Sequence, residues 1–286
     1  MRFPLLRLLR DLLKEVLRRQ RVGASCYLGD GVVLTRVRGF KMVCPGDDLG
    51  LTPHLVLDGG WELATTRVLE RCVRRGMTVL DIGANIGYFT LTAARSVGPG
   101  GRVIAFEPEP RNLYFLRHNV ALNGLTWVDV VGRGLWNEAG TRTMRKTPGS
   151  SGGHTVVNVD PASLSDEERV EVAVTTLDTY LAESRGGDLG VDVIKMDAEG
   201  AEPFIWEGMT RTLAANPRLT VLMEFGPDFL RGAGRDVREY LEGIEAMGFS
   251  IGLIDHDFRV KPLELDRLEA WIAARAWPQM LLLERG

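Results

Sequence analysis

The sequence predicts an α/β fold: a mostly parallel sheet with helices on both faces. Three observations carry that expectation. Short apolar runs alternate with stretches of helical period from Thr78 onward. The first run, Val79-Leu80-Asp81-Ile82, breaks into Gly83-Ala84-Asn85-Ile86-Gly87 and opens a helix. The second run, Val103 to Phe106, ends at once in Glu107. A sharp strand-to-helix turn and a strand-end acid outline a nucleotide-type cofactor site at the edge of a parallel sheet.

The elements follow in order. Met1 to Val22 has helical period, with Phe3, Leu6, Leu9, Leu13, Val16 and Leu17 on one face. Arg7, Arg10, Lys14, Arg18 and Arg21 take the opposite face. The segment is too charged to span a bilayer and holds no signal-peptide core. Packing on the main domain or on a second copy is the preferred reading. Contact with an anionic membrane surface is the alternative. Ala24 to Val43 alternates around two Gly turns and reads as a small β hairpin or meander. Cys44 to Pro53 reads as a loop. Residues 1–60 are thus expected as an appendage, and 61–286 as the main domain.

Trp61 to Arg75 reads as a helix stopped by Gly76. Strands then fall at Thr78–Ile82, Arg102–Phe106, Val128–Gly132, Val191–Met196, Leu219–Glu224, Phe249–Ile254 and Gln279–Glu284. Helices are expected from about Gly87 to Val97 and from Pro110 to Asn123. Gly140 to Asp160 is rich in turn residues and reads as an insertion or hairpin near the site. Val170–Thr175 is a further strand and Leu177–Glu183 a short helix.

Bulk properties remove several functions. A net charge of -3 over 286 residues gives no overall basic footprint, so a nucleic-acid partner is not expected. The three cysteines, Cys26, Cys44 and Cys72, are unpaired in spacing and form no CxxC. Reduced thiols in a cytoplasmic protein are the simple reading. His54, His118, His154 and His256 show no metal-ligand spacing, so a transition-metal site is not expected.

The glycine turn fits two cofactors. A dinucleotide site wants G-x-G-x-x-G with an acid roughly 20 residues on. Here Asn85 takes the middle glycine's place, where a pyrophosphate needs close backbone approach. S-adenosylmethionine carries no phosphate and tolerates that side chain. Its ammonium and sulfonium also suit Asp81. S-adenosylmethionine is therefore preferred, with NAD as the alternative. Glu107 is placed to accept both ribose hydroxyls. A second acidic group follows the strand VIKM: Asp197, Glu199 and Glu202, with Glu224 ending a later strand. Helix capping explains part of this. Close carboxylates also raise one another's pKa, so one of them could accept a proton. A divalent metal could sit among them, but no second ligand set is visible and the metal-free reading is preferred.

These segments together resemble the FkbM-type methyltransferases. DIGANIGYFTL, AFEPEPRNLYFLRHNVALNG, TTLDTYL, IKMDAEGAE and LMEF stand in the family's order from Trp61 to Glu224. The resemblance implies a class I methyltransferase-type, Rossmann-like sheet of seven strands with its last strand antiparallel. It implies O-methylation of a natural product, sugar or glycan hydroxyl. It places Asp81, Gly83, Asn85 and Gly87 in the methionine-side loop, and Glu107 on the ribose. Asp197 and Glu199 fall at the methyl-transfer edge, and Trp61 and Glu62 resemble an aromatic-acid pair before the core. Asp197 is the first candidate base and His154 the second. His256 either faces the acceptor or closes a turn. Two other functions stay open: an NAD-dependent oxidoreductase, and a non-catalytic protein of this fold acting through its N-terminal helix.

Overall fold

The computed structural model describes residues 25–185, 190–274 and 278–285. The amphipathic segment Met1–Val22 lies outside the described residues. The described chain begins with an antiparallel sheet of β1 (Cys26–Gly29), β2 (Val32–Val37) and β3 (Phe40–Pro45). Asp30-Gly31 and Arg38-Gly39 both sit at positive φ, as the tight turns of right-twisted hairpins require. The stretch read as a loop is partly helical. Helix α1 (Leu51–Leu57) begins inside it, because Asp48 accepts the free N–H groups of Leu51 and Thr52.

Helix α2 (Leu63–Cys72) leads into the alternating region. There β4 (Thr78–Ile82), α3 (Tyr88–Val97), β5 (Arg102–Phe106), α4 (Pro110–Leu122) and β6 (Val128–Val131) follow one another. Glu109 caps α4 by accepting the Asn112 N–H at 2.7 Å, with Pro110 in the first turn. A separate sheet comes next, ordered β7 (Gly134–Leu135), β9 (Arg169–Thr175) and β8 (Gly140–Arg145). The turn-rich insertion therefore starts as a paired strand and loosens only after Arg145. The chain returns through α5 (Leu177–Arg185), β10 (Val193–Met196), α6 (Glu202–Glu207), α7 (Thr210–Ala215) and β11 (Thr220–Phe225). It ends with α8 (Pro227–Gly232), α9 (Val237–Ala246), β12 (Phe249–Ile254), β13 (Val260–Pro262), α10 (Leu268–Ala273) and β14 (Gln279–Arg285).

The central sheet is ordered β13-β12-β14-β11-β10-β4-β5-β6. Eight strands replace the expected seven. After β12 the chain turns at Asp255–Phe258 and pairs back on the exposed edge as β13. Strands β11, β10, β4, β5 and β6 are parallel neighbours, and β14 runs antiparallel between β11 and β12. Strand order runs outward in one direction from β4 to β6, then restarts at β10 on the other side of β4. The crevice between the ends of β4 and β10 is therefore the topological switch point, where open α/β sheets bind ligands.

The two sheet faces bury separate cores. Leu80, Ile82, Ile104, Phe106, Ile194, Met196, Val221 and Met223 face one cluster, which includes Leu177, Ile205, Leu213 and Leu241. Val79, Val103, Ala105, Val193 and Leu222 face the other, with Val68, Leu91, Leu116, Met42 and Leu55. The period of two along each strand assigns Asp81, Lys195 and Glu224 to this second face. The small sheet shares that core. Asn119 on α4 reads Val43 as a paired strand would, with bonds of 2.7 Å to its N–H and 3.0 Å to its C=O. Among the described residues no helix is long and apolar enough to cross a membrane.

Candidate active site

A cavity of about 440 Å³ opens at the switch point. That volume suits a small-molecule ligand. Its wall includes Glu62, Gly83, Asn85, Glu107, His154, Lys195, Asp197, Glu199 and Glu224. Sequence reasoning named Glu62, Gly83, Asn85, Glu107, Asp197, Glu199 and His154 among its residues for binding or catalysis, and also pointed to Trp61 and Glu224.

Gly83 is where the two halves meet. It has φ +74°, and a Cβ there would lie 1.8 Å from the Asp197 carbonyl oxygen. Only glycine lets the β4 and β10 loops approach this closely. Asn85 also has positive φ, and its N–H donates to Glu107 Oε2 at 2.7 Å. Glu107 Oε1 accepts the Glu109 N–H at 2.9 Å. Each Glu107 oxygen holds one backbone amide and has a second lone pair for a ligand. Burial pushes its carboxyl up to about 7, against these two amides.

Two of the expected contacts lie behind the wall. Asp81 is 1% exposed and is not part of the cavity lining. Its Oδ2 accepts from Thr90 Oγ1 at 2.5 Å, and its Oδ1 lies 3.8 Å from Lys195 Nζ. Asp81 therefore acts on a ligand only through Lys195. Gly87 is also off the cavity: a Cβ there would meet Leu116 Cδ1 at 2.8 Å. Its role here is close packing of α3 on α4 rather than contact with a ligand in the cavity.

Lys195 is the residue that sequence reasoning missed. It is 2% exposed in the middle of β10, with Asp81 as its cross-strand neighbour. Its ammonium lies 3.0 Å from Asp197 Oδ2 and 4.8 Å from the centre of the Phe89 ring. Burial works against this charge, but Asp197, Asp81 and Glu62 outweigh it and hold the ammonium above its usual range. The signal was present: a lysine inside the apolar run VIKM, flanked by strand-end acids, needs buried partners.

The other acids sort by what their oxygens touch. Glu199 Oε1 accepts the Gly153 N–H at 2.7 Å. Glu202 lies outside the wall and caps its own turn, accepting the Ala198 N–H at 2.6 Å. Burial pushes Glu202 up to about 7. Glu62, at φ +39°, opens α2 and keeps solvent access through the cavity. Crowding by protein, then Asp197, pushes its carboxyl up to about 7 against Lys195. Glu224 has a buried oxygen, Oε2, with no hydrogen-bond partner. Burial, then Asp197, Glu202, Glu199 and Glu62, raise it well above the usual carboxylate range.

The insertion forms a strap over the cavity from Thr147 to His154. Ser151 is its anchor, 5% exposed. The Ser151 N–H and hydroxyl both donate to Asp48, each at 3.1 Å. Its carbonyl accepts Nδ2 of Asn85 at 2.9 Å and of Asn112 at 2.7 Å. The far end of the strap is tied to Glu199 through Gly153 and Thr155. His154 Nδ1 accepts the Thr147 N–H at 3.0 Å, so the neutral ring carries its proton on Nε2. Burial holds its pKa below the usual value. His256 is exposed on the Asp255–Phe258 turn and is not part of the cavity wall. Among the described residues no group of three or more His, Cys, Asp or Glu side chains is arranged to hold a metal ion.

The family described as Methyltransferase FkbM domain matches residues 81–251, which hold both halves of this site. The chain belongs to the FkbM methyltransferase family. It is 31% identical over 155 residues to Methyltransferase sdnD of Sordaria araneosa, covering 46% of this chain and 60% of that one. It is 32% identical over 166 residues to the 31-O-demethyl-FK506 methyltransferase FkbM of Streptomyces tacrolimicus, covering 48% and 61% respectively. The matches thus span about three fifths of these relatives' length. A solved FkbM methyltransferase from Methylobacillus flagellatus aligns with TM-score 0.44 and 18% identity, over 76% of this chain and 50% of that one.

Proposed function

We propose that this FkbM-family chain is an S-adenosylmethionine-dependent O-methyltransferase acting on a hydroxyl of a sugar, glycan or natural product. The observation that carries the reading is the charge of the cavity. Among the described residues, Glu62, Glu107, Asp197, Glu199 and Glu224 line it against a single ammonium, Lys195. A ligand with an ammonium and a sulfonium relieves that crowding, whereas a pyrophosphate adds to it. The donor set therefore fits S-adenosylmethionine. The name of the Streptomyces relative, which acts on an O-demethylated natural product, supports an alcohol acceptor.

When bound, the donor supplies an electrophilic methyl group on a positive sulfur. Glu107 would hold the ribose hydroxyls, and the Gly83–Asn85 turn would cradle the methionine end. Asp197, aimed by its ion pair to Lys195, and Glu62 would face the ammonium. The strap excludes water and fixes the approach of the acceptor, so positioning supplies much of the rate.

Calorimetry with S-adenosylhomocysteine and with NAD tests the donor. Radiolabelled methyl transfer to a panel of methyl glycosides and macrolide alcohols tests the acceptor. Homocysteine-ligand binding without NAD binding is expected, with label in at least one alcohol. NAD binding without S-adenosylhomocysteine binding would return the chain to the oxidoreductase reading.

A further inference from the structure

One carboxylate in the cavity has nothing to do in the structure as folded. Glu107 holds two backbone amides, Glu199 holds the strap, and Asp197 is paired with Lys195. Glu62 keeps access to solvent. Glu224 alone among them keeps a buried oxygen without a partner. An unsatisfied buried carboxylate oxygen makes the charged form costly, while the Glu224 side chain itself lines the cavity. Glu224 stands one residue past the Met223–Met196 pair, so it flanks Asp197 at the C-terminal edge of the sheet. It shares a face with Lys195, not with the apolar cluster on the opposite face.

We propose that the Glu224 carboxylate is the group that takes the acceptor's hydroxyl proton, and that the donor's positive charge sets its readiness to do so. The proposal rests on the donor and reaction proposed above. In the step, the acceptor oxygen forms the bond to the methyl carbon and the carbon–sulfur bond breaks with its electron pair going to sulfur. The hydroxyl proton passes to the Glu224 carboxylate. The sulfonium charge is lost as the carboxylate charge is neutralised, so the cavity's net charge is unchanged.

The electrostatics fit the timing. Facing Glu224 are Asp197 and Glu199 from the β10 loop, Glu202 from α6 and Glu62 at the start of α2, with Lys195 from β10 in the same wall. Four acids against one ammonium favour the neutral acid at Glu224 in the empty cavity. A bound cation opposes them and releases that proton, leaving a carboxylate at the acceptor edge. Loss of the sulfonium during transfer restores the crowding, and with it the affinity for a proton. Asp197 is a poorer acceptor, because its charge is already met by Lys195 at 3.0 Å.

Calorimetry near pH 7 in two buffers of different ionisation enthalpy tests this on the full chain. In the wild type, S-adenosylmethionine should release more protons on binding than S-adenosylhomocysteine, which lacks the sulfonium. Glu224→Gln should remove the difference while both ligands still bind. On an alcohol that the wild type methylates, Glu224→Gln turnover should fall by roughly 10²–10⁴-fold. Equal proton release in the wild type, or a full difference in Glu224→Gln, overturns the assignment and leaves the donor reading intact. A wild type that binds neither sulfur ligand overturns both. Should Glu224→Gln not fold, infrared difference spectra of wild type labelled with ¹³C-glutamate decide instead. A protonated carboxyl band in the S-adenosylhomocysteine complex that is absent with S-adenosylmethionine supports the proposal, and no such band overturns it.

Discussion

Gly83 and Lys195 make the contacts on which the site depends. At Gly83 two constraints coincide: a positive φ and the Asp197 carbonyl 1.8 Å from any Cβ. Gly83→Ala is expected to cost about 3 kcal/mol or more, because backbone must move and the residue is strained. Urea unfolding measures this, and stability within about 0.5 kcal/mol of wild type would show that the two loops separate easily. Lys195→Met should cost about 3–5 kcal/mol, since Asp81 and Asp197 are left without their counter-charge. Adding Asp81→Asn to Lys195→Met should recover part of that loss. A double variant as unstable as the sum of the singles would mean that Lys195 contributes by packing on Phe89 rather than by charge.

The strap is the element on which ligand access turns. It is tied to the small N-terminal sheet through Asp48, to the glycine turn through Asn85, to α4 through Asn112 and to the β10 loop through Glu199. Asp48 carries two tasks, since it also accepts the first amides of α1. Asp48→Ala is expected to destabilise the fold by about 1–2 kcal/mol through the lost cap. It should also speed S-adenosylhomocysteine release several-fold, measured by stopped flow. Release at the wild-type rate would place the gate elsewhere. Little of this element was legible in the sequence. Thr147 to His154 showed turn residues and a histidine, but the partners of Ser151 lie 39, 66 and 103 residues away.

At the scale of the whole molecule, buried acids set a pH dependence. Glu107 and Glu202 titrate at about 7 in the folded chain, against an ordinary value of 4.5. A folded-state value above the unfolded one gives stability that is complete below the unfolded value and is lost as pH rises through the folded one. The ligand-free protein should therefore lose stability between about pH 4.5 and about pH 7, on the order of a few kcal/mol for the pair. S-adenosylmethionine should flatten that fall. Urea midpoints across the window measure it, and a rise in stability over the same range would mean that these acids ionise without penalty. The N-terminal segment gives the second whole-molecule expectation. Deleting Met1 to Val22 should leave donor affinity unchanged, because the described cavity wall runs from Gly50 to Pro278. Co-sedimentation of both forms with anionic vesicles separates its readings: binding lost on deletion supports membrane contact, and no binding by either form supports packing.

The sequence by itself determined the sheet, its glycine turn and the acids at its strand ends. Those features are local: period-two burial, a turn that needs positive φ, and acids following apolar strands. It also carried the family, because DIGAN, EPEP and KMDAEGAE stand in order along the chain. Only the tertiary structure decided which acids meet a ligand. Asp81 lies within β4, level with Ala105 rather than with Glu107, and the β10 lysine covers it, a contact across 114 residues. Glu202 turned inward to cap, and Glu224 was left with a bare oxygen. The extra strand β13 likewise follows from an edge left open beside β12, which pairing completes. Partner choice for a buried charge depends on which strands become neighbours, and strand order is a property of the assembled sheet.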